Sequence, residues 1–104
     1  MLFSLTMFPS AKSAKAASSS AAVARVINII DKSGLPYKLG PMSTSIEGEW
    51  NEVMAVINKA RLALRREYPR VYIVIQIDDR KGARKRLTGK IESVEKQLKR
   101  EVSK

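Results

Sequence analysis

The sequence contains neither cysteine nor histidine. A chain without cysteine has no disulfide bond, no thiolate nucleophile and no zinc site of the usual cysteine and histidine type. Without histidine it also lacks the side chain that most often serves as a general base near neutral pH. These two absences exclude much of enzyme chemistry, although they leave the redox compartment open.

Long apolar runs are also missing from the chain. No stretch approaches the roughly 18 to 20 consecutive apolar residues that a helix needs to cross a bilayer. The first eight residues are mostly apolar and precede a tract rich in serine and alanine, as in a secretory signal, but no basic residue precedes them. Their apolar side chains alternate with Ser4 and Thr6, which is the period of a strand. We therefore expect a first β-strand in a soluble, cytoplasmic protein.

The length and composition suit one compact domain. The chain has 104 residues, of which 44% are hydrophobic, and we expect a single domain over residues 1–104. A domain of this size can bury a core but has little apolar surface left for a deep cavity of its own. Any ligand site is therefore expected to borrow surface from a neighbouring subunit.

The charge is strongly positive, with 20 lysines and arginines against 10 acidic residues. Residues 1–79 carry 10 basic and 7 acidic side chains, a net charge of +3, whereas residues 80–104 carry 10 basic and 3 acidic side chains, a net charge of +7. A basic excess in one segment is compatible with nucleic acid, with an anionic surface, or with a solvated helix that keeps a small protein soluble.

Hydrophobic periodicity predicts a helix and a hairpin after the first strand. The helix follows a cap at Ser18–Ser20, because apolar residues then recur at helical spacing, Gly34 suits its C-terminal end and Pro36 prevents its continuation. Two short strands, Tyr37–Leu39 and Met42–Glu47, are separated by the two strongest turn-forming residues, a glycine and a proline. The sequence therefore predicts a hairpin at this point.

The second half of the chain predicts a helix, a strand and a further helix. Amphipathic spacing from about Glu49 to Glu67 indicates the second helix, which Pro69 closes. The β-branched run Val71–Ile77 favours a fourth strand, and a basic loop, Arg80–Arg86, follows it. The helical spacing of Ile91, Val94, Leu98 and Val102 predicts a last helix with one apolar stripe.

The predicted order is βαββαβα. Both strand-helix-strand crossovers must be right-handed, which places both helices on one face of a four-stranded antiparallel sheet with strand order 4-1-3-2. This architecture is the ferredoxin-like α+β sandwich, here with an added C-terminal helix. Its other face stays uncovered, and side-chain alternation assigns a largely polar set to that face. The set comprises Ser4, Thr6, Ser43, Ser45, Glu47, Tyr72, Val74, Gln76 and Asp78.

An uncovered polar sheet face has two compatible uses. It can be an interface with a second copy of the chain. It can also form a small-molecule site at such an interface, where hydroxyls and carboxylates satisfy a flat heteroaromatic ring that bears amino and ring-nitrogen groups. Catalysis or metal binding by Glu47, Asp78 and Asp79 has weaker support, because a pair of aspartates at the end of a strand is typical of a solvated turn.

RNA binding is the alternative from a different class of function. Ferredoxin-like sheets also carry RNA-recognition domains, and the basic residues Lys81, Arg84, Lys85 and Arg86 follow the fourth strand. Such domains stack bases on aromatic side chains of the two central strands, whereas the corresponding side chains here are serines and threonines. The interpretation as an RNA- or polyanion-binding domain therefore depends on charge alone.

Two segments, SGLPYKLGPMSTSIEGEWNEVM and VYIVIQIDDR, resemble the small thiamine-binding protein family in the order and spacing of their residues. The resemblance covers nearly the whole chain. It implies a ferredoxin-like fold, assembly into dimers and dimers of dimers (tetramers), and binding of thiamine or its hydroxymethylpyrimidine moiety without catalysis and without a further cofactor. The matching positions are Ser33, Gly34, Leu35, Tyr37, Pro41, Met42, Thr44, Ile46, Glu47, Gly48, Asp78, Asp79 and Arg80.

The resemblance implies Thr44, Glu47 and Asp78 as ligand-contacting residues, with Ser43 and Ser45 as their neighbours, and the predicted open face adds Thr6 and Tyr72. Glu47 and Asp78 would accept hydrogen bonds from the aminopyrimidine, and Tyr72 would offer a stacking surface. Four hydroxyl side chains would orient the ring, namely Thr6, Ser43, Thr44 and Ser45. The chain departs from the family after strand one, where a serine- and alanine-rich tract replaces a Pro-Leu-Gly-Thr segment. A structural or regulatory oligomer with a vestigial pocket is therefore a third hypothesis.

Overall fold

The computed structural model describes residues 1–9 and 19–82, which form four strands and two helices. The elements are β1 (Leu2–Pro9), α1 (Ser19–Ser33), β2 (Tyr37–Leu39), β3 (Thr44–Glu47), α2 (Trp50–Arg65) and β4 (Val71–Asp78). The strands form one antiparallel sheet in the order β2-β3-β1-β4, which is the predicted 4-1-3-2 order read from the other edge. The predicted ferredoxin-like α+β fold is thus confirmed, whereas the predicted C-terminal helix lies outside the described residues.

The core lies between the sheet and the two helices. Phe3, Leu5 and Met7 alternate along β1 and are buried, as the period of two predicts. Both helices supply buried residues at helical spacing, which are Ala22, Val26 and Ile30 from α1 and Val53, Ile57, Ala60 and Leu64 from α2. Neither described helix is long and apolar enough to cross a membrane.

The end of α1 follows the predicted signals. Gly34 has φ +80°, a left-handed conformation that glycine adopts without steric cost. The hydroxyl of Ser33 donates to the carbonyl of Ile30 and accepts from the backbone N–H of Leu35. These bonds satisfy backbone groups at the helix end and direct the chain into β2.

The turn between β2 and β3 differs from the prediction. The N–H of Gly40 donates to the carbonyl of Ser43 over 2.9 Å, so Pro41 and Met42 form a two-residue loop. The prediction that the third strand begins at Met42 is therefore wrong by two residues, because pairing in β3 begins at Thr44. A side chain on Gly40 would place Cβ only 2.9 Å from the Ser43 carbonyl oxygen, which explains the glycine here.

The second helix begins with a reciprocal cap. The side chain of Glu49 accepts from the backbone of Glu52, and the backbone N–H of Glu49 donates to the Glu52 carboxylate over 3.4 Å. The helix ends at Arg65, two residues before the predicted end, and the N–H groups of Glu67 and Tyr68 turn back to the Leu64 carbonyl. This turn buries Tyr68 in the core, where it is 6% exposed.

Candidate functional site

Strand pairing places the predicted polar side chains in rows across the face opposite the helices, which we call the open face. Ser4 of β1 lies opposite Ser45 of β3 on one side and Gln76 of β4 on the other. The next row joins Thr6 to Val74. The prediction that hydroxyls occupy the centre of this face is thus confirmed.

Two of these hydroxyls hold the β2–β3 turn against β1. The hydroxyl of Ser4 donates to that of Ser43 over 2.9 Å, and the hydroxyl of Thr6 donates to the carbonyl of Met42 over 3.3 Å. These two hydrogen bonds hold the turn in place beside the open face. Ser45, which pairs with Ser4, is a half-buried residue on the same face.

The two carboxylates lie at one end of the open face. Glu47 and Asp78 both pair with Leu2, one from each neighbouring strand. Because adjacent strands are about 4.8 Å apart, their backbones are roughly 10 Å apart. A shallow cavity of about 180 Å³ beside Leu2 is lined by Ser4, Ser45, Gln76 and Asp78, together with Phe3 and Ile77. We call this region the carboxylate end.

The backbone beside Glu47 is held tightly. Its N–H donates to the Pro36 carbonyl over 2.9 Å, and the next N–H, of Gly48, donates to the Met1 carbonyl over 3.1 Å. A side chain on Gly48 would place Cβ 2.9 Å from Cγ2 of Val53. The loop that follows β3 is therefore packed against α2, which fixes the backbone at Glu47.

Aromatic residues occupy the opposite end of the open face. The rings of Phe8 and Tyr72 face each other at a centroid distance of 5.4 Å, and their side chains are 38% and 46% exposed. Tyr72 is six residues from Asp78 on β4, or about 20 Å at ~3.3 Å per residue. The structure therefore does not bring Tyr72 together with Glu47 and Asp78 within one chain. Phe8 was missed as a site residue, although it alternates in phase with Ser4 and Thr6.

Thr44 lies on the other side of the sheet. It is 6% exposed and shares the helix-covered face with Ile46, whereas Ser43 and Ser45 lie on the open face. The four hydroxyls of the predicted site are thus divided between two faces. Thr44 instead lines a cavity of about 150 Å³ between α1, the end of β1 and the β2–β3 turn.

A wider groove of about 670 Å³ runs along the outer side of α1 and the edge strand β2. On its wall, the hydroxyl of Tyr37 donates to the Asp31 carboxylate over 2.9 Å. This hydrogen bond, with a smaller effect of burial, raises the pKa of Tyr37 above its ordinary value, because ionisation would break the bond and place two negative charges together.

The basic residues predicted to contact polyanions are only partly described. Lys81 is exposed just beyond the end of β4, whereas Arg84, Lys85 and Arg86 lie outside the described residues. At the other end of the molecule, Arg25 of α1 forms a salt bridge with Glu67, and the guanidinium of Arg65 donates to the Pro69 carbonyl. Among the described residues, no group of three or more acidic side chains is arranged to hold a metal ion.

Solved structures share the fold of the chain. A hypothetical protein of Methanocaldococcus jannascii superposes with a TM-score of 0.78 and 24% identity, covering 89% of this chain and 93% of that one. A protein of Thermotoga maritima described as a candidate thiamine biosynthesis/salvage protein superposes with a TM-score of 0.75 and 22% identity, covering 89% and 96%. At these identities the likeness shows a common fold.

Sequence relatives connect the chain to a family. It is 42% identical over 77 residues to a UPF0045 protein of Mycobacterium bovis, covering 73% of this chain and 76% of the relative. It is 43% identical over 65 residues to the UPF0045 protein YqgV of Bacillus subtilis, covering 62% of each. Residues 3–95 match the family model described as thiamine-binding protein. With this match over most of its length, the chain belongs to the thiamine-binding protein family.

Proposed function

We propose that this domain binds thiamine, or its hydroxymethylpyrimidine moiety, without transforming it, and that it does so as a homo-oligomer assembled through the open face. The observation that carries the proposal is the carboxylate end, where Glu47, Asp78 and Ser45 lie on one exposed sheet surface. Membership of the thiamine-binding protein family supports thiamine and its parts as the class of ligand.

The chemistry of the carboxylate end matches an aminopyrimidine. The exocyclic amino group of the ring donates hydrogen bonds, and the carboxylates of Glu47 and Asp78 accept them. Ring nitrogens are acceptors, and the hydroxyl of Ser45 and the amide of Gln76 are donors on the same face. A carboxylate also attracts the positive thiazolium of intact thiamine, and screening over ~8 Å weakens repulsion from distant lysines.

A second copy of the chain supplies the enclosing apolar surface that the carboxylate end lacks. Its cavity of about 180 Å³ is smaller than the roughly 300 Å³ at which pockets for small organic ligands begin. The apolar side chains of Phe8, Tyr72 and Val74 are exposed on the same face. When two open faces pack about a two-fold axis, opposite ends can meet, so the partner's Tyr72 would cover the ring.

Binding without catalysis fits the residue inventory. The chain has no histidine and no cysteine, and the backbones of its two open-face carboxylates are roughly 10 Å apart, on either side of Leu2. Carboxylates at this separation suit the two edges of one ligand. They do not form the directly coupled pair that shares or transfers a proton.

Isothermal titration with thiamine and with free hydroxymethylpyrimidine tests the proposal. We expect heat that saturates at millimolar ligand or below, and a loss of affinity of about tenfold or more in Glu47→Gln and in Asp78→Asn, because each variant removes a charged acceptor. Asp79→Asn is the matched control, since it removes the same charge one residue beyond β4. The sole tryptophan, Trp50, lies at a ring-centroid distance of 6.3 Å from Phe3, one of the residues that line the cavity, and its fluorescence gives a second readout.

The outcomes separate the three hypotheses. An absence of heat and of fluorescence change at millimolar ligand contradicts the proposal. Normal assembly with no response to Glu47→Gln supports the structural or regulatory oligomer. Oligonucleotide binding that distinguishes sequences, falls steeply with salt and is unchanged in Glu47→Gln supports the RNA-binding alternative.

A further inference from the structure

Exposed arginines gather at the end of the helices opposite the carboxylate end, where α1 begins and α2 ends. They are Arg25 of α1, Arg61 and Arg65 of α2, and Arg66 and Arg70 in the turn that leads to β4. We call this surface the arginine patch.

Contacts between the helices and the turn bring these arginines together. Arg25 forms a salt bridge with Glu67, and the guanidinium of Arg65 donates to the Pro69 carbonyl over 2.9 Å. Arg61 lies one helical turn before Arg65, a spacing that places two side chains about 5 to 6 Å apart on one face of a helix. Because the other two arginines are chain neighbours of Glu67 and Pro69, the patch is one continuous surface.

The positive charge of the patch is mostly uncompensated. Glu67 is the only acidic residue in residues 58–70, so the five arginines and this glutamate leave a net charge of +4. The guanidinium of Arg61 donates twice to Oδ1 of Asn58, over 3.0 and 2.8 Å, and that of Arg65 to a backbone carbonyl, and both acceptors are neutral. The two arginines of the turn have no ion-pair partner among the described residues.

The chemistry of the patch suits a phosphodiester backbone. A guanidinium keeps its charge at neutral pH, and its planar set of donors makes paired hydrogen bonds to phosphate oxygens. Guanidinium groups that neutral acceptors already hold in place lose less conformational freedom on binding. A nucleic acid duplex carries one negative charge per about 1.7 Å of its axis, so several arginines can contact phosphates at once.

Two features of the patch favour a duplex over other anionic partners. Proteins bind single strands by stacking bases on aromatic side chains, whereas Tyr68, the one aromatic residue between these arginines, is only 6% exposed. Binding to a membrane surface requires a stripe of apolar side chains beside the charges. In residues 51–71, Leu62 is the only large hydrophobic residue that is exposed.

We propose that the arginine patch binds the phosphate backbone of double-stranded nucleic acid without reading its sequence. The patch is formed by the helices and the turn after them, so a duplex bound here does not compete with thiamine for the open face. The inference is therefore independent of the proposed function.

Fluorescence anisotropy of a labelled DNA duplex of about 20 base pairs, titrated with the full chain from about 50 to 200 mM salt, tests the proposal. We expect the logarithm of the binding constant to fall linearly with the logarithm of the salt concentration, by about 0.9 for each phosphate contact. The double variant Arg66→Gln/Arg70→Gln should reduce this slope by about 1.8 and weaken binding by about tenfold or more. A duplex of a second sequence should bind equally well.

The matched control is Lys32→Gln/Lys38→Gln, which removes two exposed charges from the opposite end of the molecule, one at the end of α1 and one on β2. We expect this control to leave the salt slope almost unchanged. Arg66→Lys/Arg70→Lys keeps the charge and should retain the slope, with weaker binding, since lysine cannot make the paired hydrogen bonds.

Three results would overturn the proposal. An equal reduction of the slope in the lysine control would show that net charge, rather than this surface, attracts the duplex. An unchanged slope in Arg66→Gln/Arg70→Gln would assign the binding to other basic residues. Tighter binding to vesicles of phosphatidylserine and phosphatidylcholine in equal parts, or to polyglutamate, than to the duplex would identify a different partner. Thiamine titrations of the same variants report on the proposed function separately.

Discussion

At the scale of single residues, the face on which a side chain lies decides its role. Ser43, Thr44 and Ser45 are consecutive, yet Thr44 is buried beneath the helices while its neighbours belong to the open face. Alternation along a strand predicts this separation, and it excludes a site that uses all three hydroxyls at once. A family motif alone does not reveal it, because a motif records order and spacing without the orientation of side chains.

Gly48 is a residue at which the structure requires a glycine. A Cβ atom here would lie 2.9 Å from Cγ2 of Val53 and 3.2 Å from Cδ2 of Leu35. Val53 is fully buried and β-branched, so it cannot easily turn away. We expect Gly48→Ala to lower the free energy of unfolding by about 1 to 3 kcal/mol in denaturant titrations. In the double variant with Val53→Ala the two losses should be less than additive, and full additivity would show that the two side chains do not meet.

The hydrogen bond between Tyr37 and Asp31 gives a prediction about pH. It raises the pKa of Tyr37 in the folded chain. A raised pKa means that the fold favours the neutral phenol, so this stabilisation is present below about pH 10, the ordinary pKa of tyrosine, and is lost as the pH rises through the raised pKa. We expect Asp31→Ala to lower the pKa of Tyr37, measured by tyrosinate absorbance with Tyr37→Phe as the blank. An unchanged titration of Tyr37 in Asp31→Ala would contradict the assignment.

At the scale of elements, local signals predicted most boundaries. Alternation in β1, the glycine after α1 and the β-branched run of β4 each led to the observed element, because hydrophobic period and chain-ending residues act locally. The start of β3 was not predicted, since it depends on the hydrogen bond between Gly40 and Ser43 that closes the two-residue loop. The turn after α2 was also missed, because burial of Tyr68 is a tertiary effect.

The capping box of α2 can be tested at this scale. Glu52 accepts from the backbone N–H of Glu49, a group that has no partner within the helix. We expect Glu52→Ala to lower the free energy of unfolding by about 1 kcal/mol. Asn51→Ala changes a neighbouring exposed residue outside the capping box and should have a smaller effect. Equal effects of the two variants would show that helix propensity, rather than the cap, determines the result.

At the scale of the whole molecule, the sequence predicted which face is open but not how its residues are distributed along it. Asp78 lies six positions after Tyr72, a spacing that is visible in the sequence. The register that places Glu47 and Asp78 on either side of Leu2 comes from long-range pairing, which no local pattern encodes. The candidate site is therefore divided into a carboxylate end and an aromatic end, and the proposal that two copies combine them follows from this division.

Assembly through the open face can be tested by placing a charge at its centre. Val74 is 43% exposed near the middle of that face, in the row of Thr6. A charge placed there would be buried without a partner if a second copy covers the face. We expect the wild-type chain to sediment as a dimer or tetramer and Val74→Asp to sediment as a monomer with an unchanged circular dichroism spectrum.

Leu62→Asp is the matched control for Val74→Asp, because Leu62 is 46% exposed on α2, on the other side of the sheet. It introduces the same charge at a residue of similar exposure and should leave assembly intact. If Leu62→Asp dissociates the oligomer while Val74→Asp does not, the interface lies on the helices, and the partner's Tyr72 cannot reach the carboxylate end. If both variants remain assembled, neither face is the interface, and the thiamine site must be complete within one chain.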